Sequence, residues 1–109
     1  MTPFAKPHKY NAKPCVVDGQ RFASRKEANR YSELKLLERA GKLSDLQTQV
    51  RYALEVNGIL ISHYVADFKY FDLEKREWVV EDAKGFKTDV YRIKQKMMRA
   101  LYGIEILET

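Results

Sequence analysis

The chain has 109 residues, which is enough for one domain with a single modest hydrophobic core. It is 45% hydrophobic and 32% charged, which is ordinary for a globular protein and excludes a low-complexity chain. The formal net charge of +5 favours a polyanionic partner, nucleic acid above all, and leaves open a basic protein with no such partner.

Cysteine and histidine usage excludes two further classes of protein. Cys15 is the single cysteine, so an internal disulfide cannot form, and His8 and His63 stand apart without zinc-site spacing. We find no apolar run long enough to span a membrane and no signal-peptide pattern, so we expect a cytoplasmic protein without a membrane partner.

The first fifteen residues differ in composition from the rest of the chain. They contain all three prolines together with Lys6, Lys9 and Lys13, which predicts a basic extended N-terminal arm over residues 1–15. This arm is either a frayed terminus or a segment that follows a DNA backbone through Lys9 and Lys13. Residues 16–109 are predicted to form a single domain.

A hairpin and a helix are predicted to open that domain. Asp18-Gly19 between short apolar segments is typical of a two-residue hairpin turn, which places a hairpin over residues 16–22. Ser24 and Glu27 have the spacing of a capping box, and a helix is predicted from there to about Ala40. Gly41 is well placed to end it.

Three strands in sequence are predicted next. Alternating apolar residues indicate a strand over about 46–56, Asn57-Gly58 is a second hairpin turn, and further strands are expected over about 59–71 and 77–84. Short turns between successive strands favour an antiparallel meander.

A second helix and a short strand are predicted to complete the chain. The helix covers about residues 88–102, Gly103 ends it, and the strand follows at 104–107. The expected buried stripe of the helix consists of Val90, Ile93, Met97, Ala100 and Leu101, with Arg92, Lys96 and Arg99 on the opposite side.

Two aspartates in apolar runs are the strongest chemical signal. Asp67 and Asp82 each lie where a carboxylate is costly to bury unless a partner or a metal compensates it. Lys84 follows Asp82 by two residues, so in a strand both side chains share a face. The pattern predicts a divalent-metal site acting on a phosphate ester, with Asp67 and Asp82 as ligands and Lys84 orienting water or offsetting charge on phosphorus.

Each of these residues also has a structural interpretation. Asp67 is alternatively an exposed edge-strand residue, or an ion-pair partner of Lys69 or Lys84. Lys84 alternatively extends from a strand end into solvent.

Three more polar residues lie close to this pattern. Glu27 is either the capping-box carboxylate or a further metal-site residue, since its helical stripe faces the predicted sheet. Gln49 is a polar neighbour on the first strand of the meander. Glu81 points to the other strand face from Asp82 and is the poorer candidate ligand, unless a strand bulge reverses the two faces.

Basic residues near the second helix are candidates for DNA phosphate contact. Lys87 and Lys94 are the better candidates, because they follow Lys84 closely in sequence. Arg92 and Lys96 form a basic face that either contacts phosphates or is simply solvated. Nothing in the chain resembles base-edge recognition, so sequence-specific binding is not expected.

The order of elements and acidic residues resembles the PD-(D/E)xK, or restriction-endonuclease-like, nuclease superfamily over about residues 20–108. The motif aspartate of the second core strand is matched by Asp67, the (D/E)xK element by Asp82-Ala83-Lys84, and the acidic residue of the first helix by Glu27. Ala66 stands where the name motif has proline. The stretches 17–28 and 81–85 are similar to a small branch common in phages and prophages.

The resemblance implies an α/β fold in which a mixed sheet is flanked by two helices. It implies a Mg²⁺-dependent DNA endonuclease in which Mn²⁺ substitutes, selective for branched or junction DNA like the related Holliday-junction resolvases, and acting as a homodimer. Two other classes remain open: a non-catalytic nucleic-acid-binding module on the same fold, and a phage protein that binds a host protein.

Overall fold

A computed structural model describes residues 14–109. The predicted arm with Lys9 and Lys13 lies outside this range, apart from its last two residues. The elements are β1 (Cys15–Val17), β2 (Gln20–Phe22), α1 (Arg25–Arg39), β3 (Leu43–Val56), β4 (Ile59–Asp72), β5 (Glu77–Asp82), α2 (Asp89–Tyr102) and β6 (Ile106–Glu108).

The main sheet has four strands in the order β3-β4-β5-β6. The first three pair antiparallel as a meander, and β6 pairs parallel with β5. Strands β1 and β2 form a separate antiparallel hairpin. The predicted α/β architecture, with a mixed sheet, two helices and an N-terminal hairpin, is confirmed.

Local sequence signals account for both hairpin turns. Asp18 and Gly19 have φ angles of 53° and 77°, and Asn57 and Gly58 have 51° and 79°. Two successive left-handed residues define the turn whose twist matches antiparallel strands, and Asp-Gly and Asn-Gly are its preferred pairs. Both predicted turns are confirmed.

The predicted helix ends at Ser24 and Gly103 are confirmed, and Thr88 caps the start of α2. The Ser24 hydroxyl accepts a hydrogen bond from the Glu27 backbone N–H at 3.1 Å, and the Thr88 hydroxyl accepts one from the Tyr91 N–H at 3.0 Å. Gly103 caps the end of α2 with φ 67°, a left-handed conformation that glycine adopts without strain. The caps position Glu27 and Tyr91 in the first turns of their helices.

Two core clusters hold the helices against the sheet. The cluster under α1 contains Phe22, Ala28, Tyr31, Leu34, Leu43, Phe68 and Tyr70. The cluster under α2 contains Leu54, Tyr64, Ala66, Val80, Tyr91, Met98 and Ile106. On β5, Val80 contacts the α2 cluster while its neighbour Glu81 bonds Arg30 of α1. Because adjacent strand residues point to opposite faces, the helices cover β5 from both sides.

The predicted buried stripe of α2 is wrong except at Met97, which is partly buried against the α2 cluster. Val90 and Ile93 are 60% and 59% exposed, whereas Tyr91 and Met98 are buried. At about 100° per residue, the buried face lies roughly a third of a turn from the expected stripe. Tyr91 is buried because its ring lies under Lys84 and its hydroxyl bonds Glu108, two contacts that helical periodicity does not reveal.

Three strand boundaries also differ from prediction. β3 begins at Leu43, three residues early, because left-handed Asp45 and a register shift between Ser44 and Gln47 interrupt the apolar alternation. β5 ends at Asp82 rather than Lys84, because the Ala83 N–H bonds a side chain in place of a neighbouring strand. β6 begins at Ile106 rather than at residue 104.

Candidate active site at the fork of two strands

The site lies where β4 and β5 separate. The last backbone pair of the two strands is Phe68 with Glu81, and side chains replace the ladder beyond it. The Asp67 N–H donates to Asp82 Oδ1 at 2.9 Å, and the Ala83 N–H donates to Asp67 Oδ2 at 2.9 Å. This reciprocal exchange brings the two aspartates predicted as ligands together at the strand ends.

Helix α1 brings a third carboxylate to the fork. Glu27 is 5% exposed, and it lies close enough to Asp67 and Asp82 for their charges to help raise the pKa of its carboxyl. Its backbone N–H makes half of the capping box with Ser24. Its carboxylate, in contrast, accepts a hydrogen bond from Gln49 Nε2 at 2.8 Å. Glu27, Asp67 and Asp82 are called the carboxylate cluster below.

Gln49 connects the cluster to β3. Its side-chain amide donates to Glu27, and it also lowers the pKa of Asp67 against the larger effect of burial, which raises it. Its backbone is left-handed, with φ 53°, in the middle of a strand. Such a conformation is uncommon for a residue other than glycine and is found preferentially at functional sites. The sequence places Gln49 near the site as a polar neighbour, but no local pattern predicts its backbone geometry.

Burial disfavours the state in which all three carboxylates of the cluster are ionised. Burial, and then the charges of Asp67 and Asp82, raise the pKa of Glu27 to about 7, opposed by a hydrogen bond from the Ala23 backbone and by Lys84. Burial is also the largest cause that raises the pKa values of Asp67 and Asp82, and Lys84 opposes it in both. The cluster therefore favours the arrival of positive charge, either as protons or as a cation.

One oxygen of the cluster lacks a hydrogen-bond partner. Asp82 is completely buried, and within residues 14–109 its Oδ2 atom accepts no hydrogen bond. The nearest cation is Lys84 Nζ, at 4.0 Å, which is too far for a hydrogen bond. A buried carboxylate oxygen without a partner is costly, and such atoms are often explained by a missing ion or water.

Lys84 reaches the cluster although it lies beyond the end of β5. Its ammonium stands 4.8 Å from the centroid of the Tyr91 ring, which is a cation–π distance. Its side chain is 28% exposed, so the amine lies between the buried carboxylates and solvent. This position suits a group that contacts a substrate as well as Asp82.

The donor atoms of the cluster are of the chemical type that a hard divalent cation binds. Carboxylate and amide oxygens are the ligands that Mg²⁺ and Mn²⁺ prefer, and Asp82 Oδ2 is already free to bind. Among the described residues, however, no group of three or more His, Cys, Asp or Glu side chains is arranged to hold a metal ion. Asp67 and Asp82 each commit one oxygen to a backbone N–H instead.

Glu81 lies next to Asp82 but belongs to a separate network. It is fully buried, and its carboxylate accepts hydrogen bonds from Arg30 Nε at 2.5 Å and Arg30 Nη2 at 3.0 Å. The Tyr70 hydroxyl donates to it at 2.7 Å and Thr109 Oγ1 at 3.2 Å. With its oxygens occupied in this way, Glu81 is a structural residue and a poor metal ligand, as its strand face predicts.

The predicted DNA-binding residues are spread over several environments. Lys87 forms an ion pair with Glu108 at 2.7 Å, and Lys94 is half-buried on α2. Arg92 and Lys96 are exposed on α2. None of these four takes part in the hydrogen bonds of the carboxylate cluster given above.

Two residues at the site escaped the sequence analysis. Tyr91 supports Lys84, but its position falls outside the apolar stripe that the spacing predicts. Lys26 Nζ donates to the Lys84 backbone oxygen at 2.9 Å and so joins α1 to the segment after β5. A contact between residues 58 positions apart has no local signal in a sequence.

Fold and site together define an α/β protein with a buried carboxylate cluster and a lysine at a strand fork. A family model matches residues 7–106, and the chain belongs to that family, whose description is "Protein of unknown function (DUF1064)". Searches of curated proteins and of solved structures gave no match. Within residues 14–109, neither helix combines the length and the apolar character that a membrane crossing requires.

Proposed function

We propose that this protein is a Mg²⁺-dependent DNA endonuclease with a restriction-endonuclease-like fold. One observation carries the proposal: carboxylates from α1, β4 and β5 converge beside Lys84, and Asp82 Oδ2 is buried without a hydrogen bond. The mixed sheet and the order of elements support it. Buried acidic residues beside one lysine suit phosphodiester hydrolysis better than a purely structural ion pair, which leaves no oxygen unpaired.

Each residue has a defined part in this proposal. Asp67 and Asp82 would hold the ion, and Glu27 would complete the acidic site. When bound, the ion supplies Lewis acidity and charge neutralisation, and Mn²⁺ is expected to substitute for Mg²⁺. Lys84, held by the Tyr91 ring, is suited to donate to a phosphate oxygen and offset its developing negative charge.

Proton release is a consequence of the same electrostatics. Because the pKa of Glu27 is raised to about 7, part of the Glu27 population is protonated at neutral pH. A proton and a cation compete for the same cluster, so metal binding should strengthen as pH rises through 7. Mg²⁺ affinity at pH 6 and pH 8, measured by calorimetry, tests this coupling independently of any cleavage.

The substrate class and the assembly are part of the proposal. The resemblance to resolvases favours branched or junction DNA, and a role in the recombination, replication or repair of phage DNA. A single domain of 109 residues offers little surface for a branched duplex, so we propose a homodimer. The apolar residues that α2 exposes support this assembly, because a two-fold contact would bury them.

The decisive experiment is a cleavage panel with Mg²⁺ or Mn²⁺. It compares a four-way junction, a flap, a nicked duplex, a linear duplex and a single strand. Asp82→Asn and Lys84→Met should each reduce the rate by about 100-fold or more, because the first removes a proposed metal ligand and the second removes the positive charge at the reacting phosphate. Exposed Asp89 and Lys75 provide the matched controls Asp89→Asn and Lys75→Met, which should retain the parent rate.

Thermal unfolding gives a second readout. Mg²⁺ should raise the melting temperature of the parent protein but not that of Asp82→Asn, because a ligand that binds only the folded state stabilises it. Folded Asp82→Asn and Lys84→Met variants that cleave as fast as the parent would refute the proposed function.

One observation favours a non-catalytic nucleic-acid-binding module as the second candidate. The Asp67 and Ala83 backbone N–H groups already satisfy one oxygen of each aspartate, as a structural site would. This candidate predicts salt-sensitive DNA binding that persists in EDTA, with no metal-dependent cleavage of any substrate in the panel.

A further inference from the structure

A basic cleft of about 420 Å³ opens beside the carboxylate cluster. Its α1 side consists of Arg25, Lys26, Asn29, Arg30 and Glu33, and Ala83 and Thr109 close the other side. The helical residues form two adjacent pairs, 25–26 and 29–30, followed by Glu33, and these groups repeat every three to four positions, so they share one face of α1.

Two cations of the cleft have no anionic partner within residues 14–109. The Arg30 guanidinium is committed to Glu81 and Glu33. In the part of the chain that the structure describes, Arg25 and Lys26 form no ion pair, and both are exposed. Their charge is therefore available to an anion that enters the cleft, and the positive end of the α1 dipole adds to it.

The cleft is physically joined to the proposed catalytic residues. Lys26 Nζ bonds the Lys84 backbone oxygen at 2.9 Å. Ala83, which lines the cleft, donates its N–H to Asp67. An anion held by Arg25 and Lys26 would thus lie next to the segment that carries Asp82 and Lys84.

We propose that this cleft binds a DNA backbone phosphate next to the one that is cut, an inference that rests on the proposed nuclease function. Arg25 and Lys26 supply the charge and Asn29 a neutral hydrogen-bond donor, which is a side-chain set that recognises phosphate oxygens without reading bases. In this proposal the main phosphate contact lies on α1, and not at Lys87 and Lys94 as the sequence predicts. Lys87 is a weaker candidate because Glu108 neutralises it at 2.7 Å.

The test measures DNA binding in EDTA, where no cleavage occurs. Fluorescence anisotropy with a labelled four-way junction and a linear duplex compares the parent with Arg25→Gln/Lys26→Gln. The double variant should bind about tenfold or more weakly at 0.1 M salt, and its slope of log K against log salt should be shallower by about 2. The control Arg92→Gln/Lys96→Gln removes the same charge from the exposed face of α2 and should weaken binding less than about threefold.

A single variant avoids disturbing Lys84. Arg25→Gln leaves the Lys26 contact intact, and with Mg²⁺ it should raise KM while leaving kcat near the parent value. An equal loss of DNA affinity in the two double variants would show that only net charge matters. It would contradict the proposal that the cleft binds a backbone phosphate. Parent-like binding by Arg25→Gln/Lys26→Gln would overturn it as well.

The outcomes separate this inference from the proposed function. If the parent cuts nothing but its binding depends on Arg25 and Lys26, the cleft stands and the nuclease proposal fails. If cleavage requires Asp82 and Lys84 but neither binding nor KM changes in the α1 variants, the nuclease proposal stands and the cleft fails.

Discussion

At the scale of single residues, the cost of burying acids explains most of the site. Glu27 and Asp82 are nearly or completely shielded from solvent, and burial is the first cause of both raised pKa values. A protein selected only for stability would replace such groups by apolar ones, since a buried charge rarely stabilises a fold. The cluster is therefore better understood as a binding site for positive charge than as a stabilising part of the fold.

Glu27→Gln tests this electrostatic cost through the pH dependence of stability. The pKa of Glu27 is raised from 4.5 to about 7, so its protonated form stabilises the fold below pH 4.5 and that contribution is lost as pH rises through 7. Glutamine is neutral throughout. In EDTA, the free energy of unfolding of the variant relative to the parent should therefore rise by about 1–3 kcal/mol from pH 5 to pH 8.

Urea unfolding at the two pH values measures this difference. Glu55, an exposed residue of β3, supplies the control Glu55→Gln. A Glu27→Gln difference that does not change with pH would contradict the assignment of the raised pKa to Glu27.

At the scale of elements, strand β5 is the centre of the molecule. Antiparallel β4 and parallel β6 flank it, and the two helices cover its faces. The Arg30–Glu81 pair ties α1 to β5, immediately next to the aspartate of the site. The position of Asp82 therefore depends on a buried ionic contact as well as on apolar packing.

Arg30→Met should show how much this contact contributes. Removing the guanidinium leaves the fully buried Glu81 carboxylate without its main partner, which should cost about 3–5 kcal/mol in the free energy of unfolding. Denaturant unfolding measures the loss. Adding Glu81→Gln to the Arg30→Met variant should recover part of it, because the unpaired charge is then removed.

The more solvent-accessible Lys35–Glu38 pair on the same helix is the control for this prediction. Its two side chains are 34% and 31% exposed, and Lys35→Met should leave the unfolding midpoint nearly unchanged. A loss in Arg30→Met no larger than in Lys35→Met would show that the pair does not hold α1 on β5.

At the scale of the whole molecule, α2 presents three different faces. Tyr91 and Met98 enter the core, Arg92, Lys96 and Arg99 are exposed and basic, and Val90, Ile93 and Leu101 are exposed and apolar. Contiguous exposed apolar side chains on a helix commonly mark an interface. In an antiparallel pair of α2 helices, Val90 of one copy would face Leu101 of the other.

Ile93→Glu should therefore disrupt the proposed homodimer. A charge at the centre of a two-fold apolar contact is repeated in both copies, so the variant should sediment as a monomer at concentrations where the parent is a dimer. Leu36, equally exposed on α1, gives the matched control Leu36→Glu, which should remain dimeric. A parent that is monomeric, or an Ile93→Glu variant that is still dimeric, would exclude α2 as the interface.

Local chemistry made much of this fold predictable from sequence. Asp18-Gly19 and Asn57-Gly58 each specify a hairpin turn by their backbone preferences, and Ser24 and Gly103 mark helix ends by the hydrogen bonds they can make. Asp67, Asp82 and Lys84 were recognisable because a charged residue in an apolar run is costly to bury unless a partner or a metal compensates it. All these signals act over a few residues.

The amino-acid sequence by itself determined the order of the elements, the turns, the caps and the carboxylates that share a site. Tertiary structure alone decided which face of α2 is buried, that Gln49 is left-handed, and that β5 stops at Asp82. The physical reason is the separation along the chain of the residues that interact. Turns and caps are settled between neighbours in sequence, whereas burial and the exchange between Asp67 and Asp82 depend on segments that meet only after the chain has folded.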